Sequence, residues 1–198
     1  MGLGKVPEVL QLVGRSQFAK PVVANASAGA CTIVTDVAIS TLTAGALTIA
    51  AQPDYARTLR AILTDANASI TGATVTIFGM DQNGEGISDV LTFTAAGTVE
   101  GVKAFAHVTS ATWALTAGTA TATDDKIAIG VSGKLGLTSV PGAKIKRVIK
   151  ATFDGGDEAG TLGATYGLYT PAGTMNGSKE VSVQYLYEIG LKWPESNS

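Results

Sequence analysis

The dipeptide Asn83-Gly84 lies between two runs that alternate in strand fashion, and it constrains the fold more than any other feature of this chain. Before it, Ala73-Thr74-Val75-Thr76-Ile77-Phe78 alternates threonine with apolar residues. After it, Ile87 to Thr94 resumes a strand pattern. Asn-Gly between such runs predicts a tight β-hairpin, because glycine takes a positive φ without steric cost. A second run, Lys179 to Glu188, puts Val181, Val183, Tyr185 and Tyr187 on one face, and Glu180, Ser182, Gln184 and Glu188 on the other, with Leu186 the exception. That is the period of a strand with one face buried. Alternating Tyr185 and Tyr187 read as core or interface residues rather than as a ligand platform.

Further strands are predicted at 47–51, 58–64, 102–106, 108–115, 126–131, 145–153 and 161–169. Turn signals separate them, at Ala117-Gly118, Thr123-Asp124-Asp125, Ser132-Gly133-Lys134, Asp154-Gly155-Gly156-Asp157 and Pro171 to Gly177. Turns recurring every 8–12 residues or so suit a sandwich or barrel. No stretch sustains helical periodicity; the best helical candidate is 6–13, which ends at Gly14. The expected fold is all-β, an antiparallel β-sandwich of jelly-roll-like form spanning 41–198. An extended N-terminal arm covers 1–40. The end of the chain, Trp193 to Ser198, reads as a frayed terminus.

Composition narrows the function. Only 15% of the 198 residues are charged, with 14 Lys+Arg against 16 Asp+Glu. An electrostatic nucleic-acid binder needs a basic balance or face, and this chain has neither. Its longest basic stretch, Lys144, Lys146, Arg147 and Lys150, lies within one strand-like run. At 45% hydrophobic the chain is too apolar for a disordered one. Much of that share is small, however: there are 30 alanines beside 25 threonines, and aromatics are 6%. No window is long and apolar enough for a membrane helix. The start, Met1-Gly2-Leu3-Gly4-Lys5, has no secretory pattern, and the lone Cys31 rules out an internal disulfide. These features point to a compartment where thiols stay reduced.

Few residues offer chemistry. His107 is the single histidine and sits within strand-like sequence, and no Gly-x-Ser-x-Gly elbow positions a serine beside it. One His and one Cys cannot assemble a zinc site of the usual kinds within one chain. Cys31, in Ala30-Cys31-Thr32-Ile33-Val34, lacks flanking charges and reads as a small buried hydrophobe. Asp81-Gln82-Asn83-Gly84-Glu85-Gly86 has the alternating oxygens of a calcium loop but not the distal bidentate glutamate, so a hairpin turn accounts for it without a metal. Asp154, Asp157 and Glu158 read as a solvated acidic loop. Gly130 to Lys134 lacks phosphate-loop spacing, and Gly133-Lys134 reads as the turn after the strand 126–131. With two tryptophans, Trp113 and Trp193, the chain is poor in the aromatics that line sugar clefts. No catalytic, cofactor or metal residue is therefore expected, and function is expected to lie in surfaces and assembly. The arm, where Val6, Val9, Leu10, Leu12, Val13 and Phe18 are interleaved with Lys5, Arg15 and Lys20, is too apolar to remain solvated. These six apolar residues are the candidate contacts with a shell or a neighbouring subunit.

Several stretches resemble virion structural proteins of tailed bacteriophages. They are Val75 to Gly84, Gln52-Pro53-Asp54 with Arg57, Gly101 to Phe105 with Val108-Thr109-Ser110, and Ile127 to Val131 followed by Leu135-Gly136-Leu137. Thr170-Pro171 through Asn176-Gly177 resembles the loop before the last strand of such proteins. Together they span roughly 50 to 190, and their order and spacing carry the resemblance. It implies a non-enzymatic component of the virion, assembled in the host cytoplasm. Within that family the resemblance favours the capsid cement or decoration proteins, which are β-rich, commonly homotrimeric, and seated across subunits of the major capsid protein. Tail-tube, neck and head-fibre proteins are also β-rich and poor in sites, and they stand as the alternative. A carbohydrate-binding or adhesin module is a further alternative.

Overall fold

The computed structural model describes residues 15–19, 32–137, 144–163, 167–175 and 180–188. Among them there is no helix, and every strand pairing is antiparallel. The strands are β1 (Arg15–Ala19), β2 (Val34–Ala38), β3 (Ala44–Leu47), β4 (Arg57–Thr64), β5 (Ile70–Met80), β6 (Gly86–Phe93), β7 (Gly97–Phe105) and β8 (His107–Gly118). They continue with β9 (Lys126–Gly136), β10 (Lys144–Phe153), β11 (Gly156–Asp157), β12 (Thr161–Leu162), β13 (Leu168–Thr170) and β14 (Val181–Glu188).

The predicted hairpin is the organising element. β5 and β6 pair from Ala73↔Phe93 to Met80↔Gly86 across the turn that holds Asn83-Gly84. Within that turn Gly84 has φ 82°, and the Asp81 carboxylate accepts from the backbone N–H of Asn83 (2.8 Å) and of Glu85 (3.0 Å). The strands outside this tip pair in nested order: β4 with β7, β3 with β8, and β2 with β9. The chain from β2 to β9 is therefore one long ribbon folded at its middle. Successive pairs fall alternately into two sheets. One runs β2-β9-β4-β7 and the other β3-β8-β5-β6. This is the eight-stranded order of a jelly roll.

Alternation explains which residues fill the space between the sheets. On β5, Ala73, Val75 and Ile77 turn inward while Thr74 and Thr76 turn outward. Leu91 and Phe93 of β6, Trp113 of β8, Leu59, Ala61 and Leu63 of β4, and Ile127, Ile129 and Val131 of β9 complete one apolar core. Ile33, Val34 and Ile39 are also buried in it. Two strands thus lie within 1–40, the stretch assigned from sequence to an arm: β2 in the first sheet, and β1, paired with β14 from Arg15↔Tyr185 to Ala19↔Val181. Of the six apolar arm residues, Val6, Val9, Leu10, Leu12 and Val13 lie outside the described residues, as does the helical candidate 6–13. Phe18 falls in β1, opposite Ser182.

A second, smaller cluster adjoins the sandwich. β9 continues past the end of β2 and there pairs with β13, through Leu168↔Gly136 and Tyr169↔Leu135. A further sheet, β1-β14-β10-β11, places Val181, Val183 and Tyr185 against Leu135, Leu137, Tyr169 and Met175. The inward face predicted for 179–188 is thereby found, except that the side chain of Tyr187 lies outside the described residues.

Three local expectations are corrected. Ser132-Gly133-Lys134 is no turn but part of β9. Arg57 pairs Leu135 while Leu59 pairs Val131, so β9 carries two extra residues there and bulges. Its turn-like composition suits that bulge, and the partner strand keeps the chain extended on either side. The predicted strand 161–169 is two short strands, β12 and β13, paired with each other. The strand predicted at 47–51 lies earlier, at 44–47.

Candidate functional site

The buried polar residues show what the uncommon charges of this chain do. Arg57 on β4 is completely buried. Its Nε donates to the Ser132 carbonyl at 2.8 Å, which lies within the β9 bulge. Its Nη1 meets Asp54 Oδ1 at 3.3 Å, and its Nη2 lies 3.4 Å from the Met175 sulfur. Burial lowers the guanidinium pKa, Asp54 opposes that shift, and the nearby Arg60 adds to it. Because Met175 belongs to the second cluster, Arg57 ties the two cores together.

The bulge is held from the other side by Glu100 of β7. Its carboxylate accepts from the Ser132 hydroxyl and, at 2.8 Å, from Lys134 Nζ. Burial alone would raise the Glu100 pKa. The Lys134 and Ser132 hydrogen bonds, with the charges of Lys134 and Arg60, outweigh it and hold the carboxyl below its ordinary value.

Asp89 sits at the corner where β6, an edge of one sheet, meets β7, an edge of the other. Its Oδ2 accepts from the backbone N–H of Val102 (2.7 Å) and Lys103 (3.1 Å), and Lys103 Nζ returns a bond of 2.6 Å to the Ser88 carbonyl. Gly101 makes room for this, since a Cβ there would stand 2.6 Å from Asp89 Oδ2. Gln52 imitates a strand partner: its amide both accepts from Val108 N–H (2.7 Å) and donates to Val108 C=O (3.1 Å). The fully buried Asp125 accepts from the N–H groups of Ala66 (3.0 Å) and Ala122 (2.9 Å). Each of these groups satisfies backbone or side-chain partners that burial would otherwise leave unmet.

The residues singled out from sequence for chemistry fall as follows. His107 is exposed at the start of β8, opposite Met80. Cys31 lies outside the described residues. The Asp81–Gly86 segment is the hairpin turn, its first carboxylate turned onto backbone amides. In the second acidic loop, Asp154 and Gly155 take φ of 54° and 80° and form the two-residue link between β10 and β11. Glu158 accepts from Ala172 N–H and from the Tyr169 hydroxyl. Burial, with the charge and hydrogen bond of Glu158, pushes the Tyr169 phenol up to about 12. Trp113 is buried in the core, and Trp193 lies outside the described residues. Among the described residues, no group of three or more His, Cys, Asp or Glu could hold a metal ion, and no helix could cross a membrane.

What the sequence reading missed is a difference between the two sheets. β2, β4, β7 and β9 carry seven charged residues: Asp36, Arg57, Arg60, Glu100, Lys103, Lys126 and Lys134. β3, β5, β6 and β8 carry one, Asp89, which is buried. The outer face of the second sheet is therefore a plain of Thr, Ser and Ala interrupted by three exposed apolar side chains: Phe78 (44%), Met80 (43%) and Val90 (57%). The signal was present as charge-free strands, but only the sheet order shows that they are neighbours. Comparison with protein-family models, with curated proteins and with solved structures finds no match to this chain.

Proposed function

We propose that the chain is a non-enzymatic structural protein of a tailed-phage virion, a cement protein that binds across major capsid protein subunits and stabilises the expanded shell. The observation that carries this reading is where the phage-like stretches fall. Gln52, Asp54 and Arg57 pin β8 and the β9 bulge, Val75 to Gly84 runs along β5 into the ribbon tip, and Gly101 to Phe105 forms the strand clasped by Asp89. The resemblance therefore follows the framework of a sandwich whose buried charges serve the fold. Jelly rolls also serve as lectin domains, so fold alone is only an analogy. Burial of Trp113 argues against a sugar platform that uses it.

A cement protein works by repetition. Apolar burial contributes about 25 cal/mol per Å², so modest contacts repeated over a shell add up. A homotrimer gripping several subunits gains avidity as well. The N-terminal stretch from Val6 to Phe18 is the gripping element in this reading. Deleting residues 1–14 is expected to abolish binding to purified shells while the thermal unfolding of the sandwich stays as it was. Unchanged shell affinity would exclude that role.

The deciding experiment is copy number in purified virions, by quantitative mass spectrometry against the major shell protein. A count comparable to the shell subunit is the expected result. A count matching one ring or a short stack would place the protein in the neck or tail instead, and absence from virions would reject the reading.

A further inference from the structure

We infer that the uncharged outer face of the β3-β8-β5-β6 sheet is the surface through which copies of this chain associate. This goes beyond the virion reading and does not depend on it.

A solvated sheet face ordinarily carries lysines and acids that keep it soluble and discourage pairing. Here the four strands put none on it, and the nearest ammonium, Lys103 of β7, is bound to the Ser88 carbonyl at the β6 edge. The floor of the face is set by Ala46, Thr112 and Thr76, which lie side by side across β3, β8 and β5. Phe78 is two residues beyond Thr76, and Val90 stands opposite Thr76 on β6, so Val90 and Phe78 are diagonal neighbours within side-chain reach. Met80 extends the same row. The exposed apolar side chains thus form one contiguous patch at one end of a flat, small-residue plain. The other sheet of the same sandwich places Glu100 and Lys134 in partly exposed positions, so low charge is particular to this face and not simply the average of the chain.

An uncharged face meets its own copy without opposing like charges, whereas a strongly charged partner would lose solvation on it and gain no counter-charge. Size agrees. β5 has 11 residues and β8 has 12. β3 and β6 are shorter, with 4 and 8 residues, so at about 3.4 Å per residue and about 4.8 Å between strands the face covers on the order of 570 Å². That plan area is about seven-tenths of the roughly 800 Å² per partner of a standard stable interface.

The test is the mass of the full-length protein in solution, by light scattering and sedimentation from micromolar to submillimolar concentration. The wild type is expected to be a dimer or trimer. A double variant, Val90→Lys with Thr112→Lys, sets lysines on the face of each copy and is expected to weaken self-association by at least about 100-fold. Ile149→Lys makes the same kind of change at a half-exposed isoleucine of β10, in the β1-β14-β10-β11 sheet, and is expected to leave the oligomer intact. Circular dichroism and melting of each variant check that it folds. If Val90→Lys/Thr112→Lys unfolds, Ala46→Lys at the sheet edge replaces it. A wild type that is monomeric throughout overturns the inference. So does an oligomer that survives lysines on the face, or one that Ile149→Lys dissolves equally. Because no shell is present in these measurements, a failure here leaves the copy-number test of the virion reading standing, and the reverse also holds.

Discussion

Arg57 shows how much one charge can hold when burial leaves it no water. Its guanidinium joins a bulge carbonyl, a carboxylate and a thioether from three separate stretches of chain. Removing one partner of a buried pair leaves the other uncompensated, and deleting a large buried side chain leaves a cavity. Arg57→Ala is therefore expected to cost about 3–5 kcal/mol in urea unfolding. The double change Arg57→Met with Asp54→Ala is expected to recover part of that loss, since volume is kept and no lone charge remains. A loss below about 1 kcal/mol for Arg57→Ala would mean that the arginine is not the tie between the two cores. The role of Arg57 could not be read from sequence. Beside Asp54 it looks like a surface ion pair three residues apart, and only the β9 bulge and Met175, both distant in sequence, make it an interior group.

At the scale of the elements, the sequence was most informative where pattern is local. The β5–β6 hairpin and the strands β4, β8, β9, β10 and β14 follow from alternation and turn chemistry, because side-chain period and positive φ are properties of short stretches. The continuation of β9 through Ser132-Gly133-Lys134 was misread. There the local composition favours a turn, and pairing with β4 on either side overrides it. The buried Asp89 and the charge-free sheet were likewise beyond local reading, since each depends on which strands become neighbours. Two glycines of β5 and its turn separate these kinds of constraint. At Gly79 an added Cβ would stand 2.1 Å from the His107 carbonyl oxygen and 2.8 Å from a Phe105 ring carbon. At Gly84 nothing lies within 4 Å, but φ is 82°. Gly84→Ala is expected to cost about 1–2 kcal/mol from conformation alone. Gly79→Ala is expected to cost more than about 3 kcal/mol, because backbone must move. Paired thermal and urea melts check the order; a reversed order would refute the close packing of β5 on the start of β8.

At the scale of the whole molecule, the nested pairing gives the chain an unusual relation between distance in sequence and distance along a folding route. Val34 and Ile129 pair, yet their contact need not be made by a search through all the chain between them. Once β5 and β6 have joined, β4 and β7 are separated only by the connectors 65–69 and 94–96. When those strands have paired, β3 and β8 follow across 48–56 and residue 106, and β2 and β9 across 39–43 and 119–125. Each closure then adds only a short loop, so its entropic cost stays small although the final contact order is high. Stability lost at the tip should therefore appear in the refolding rate: Gly84→Ala slows folding. Stability lost in β2, the last pair to close, should appear in the unfolding rate instead. On this route the ribbon would close like a zipper from Asn83-Gly84, and stopped-flow refolding and unfolding of the two kinds of variant check it.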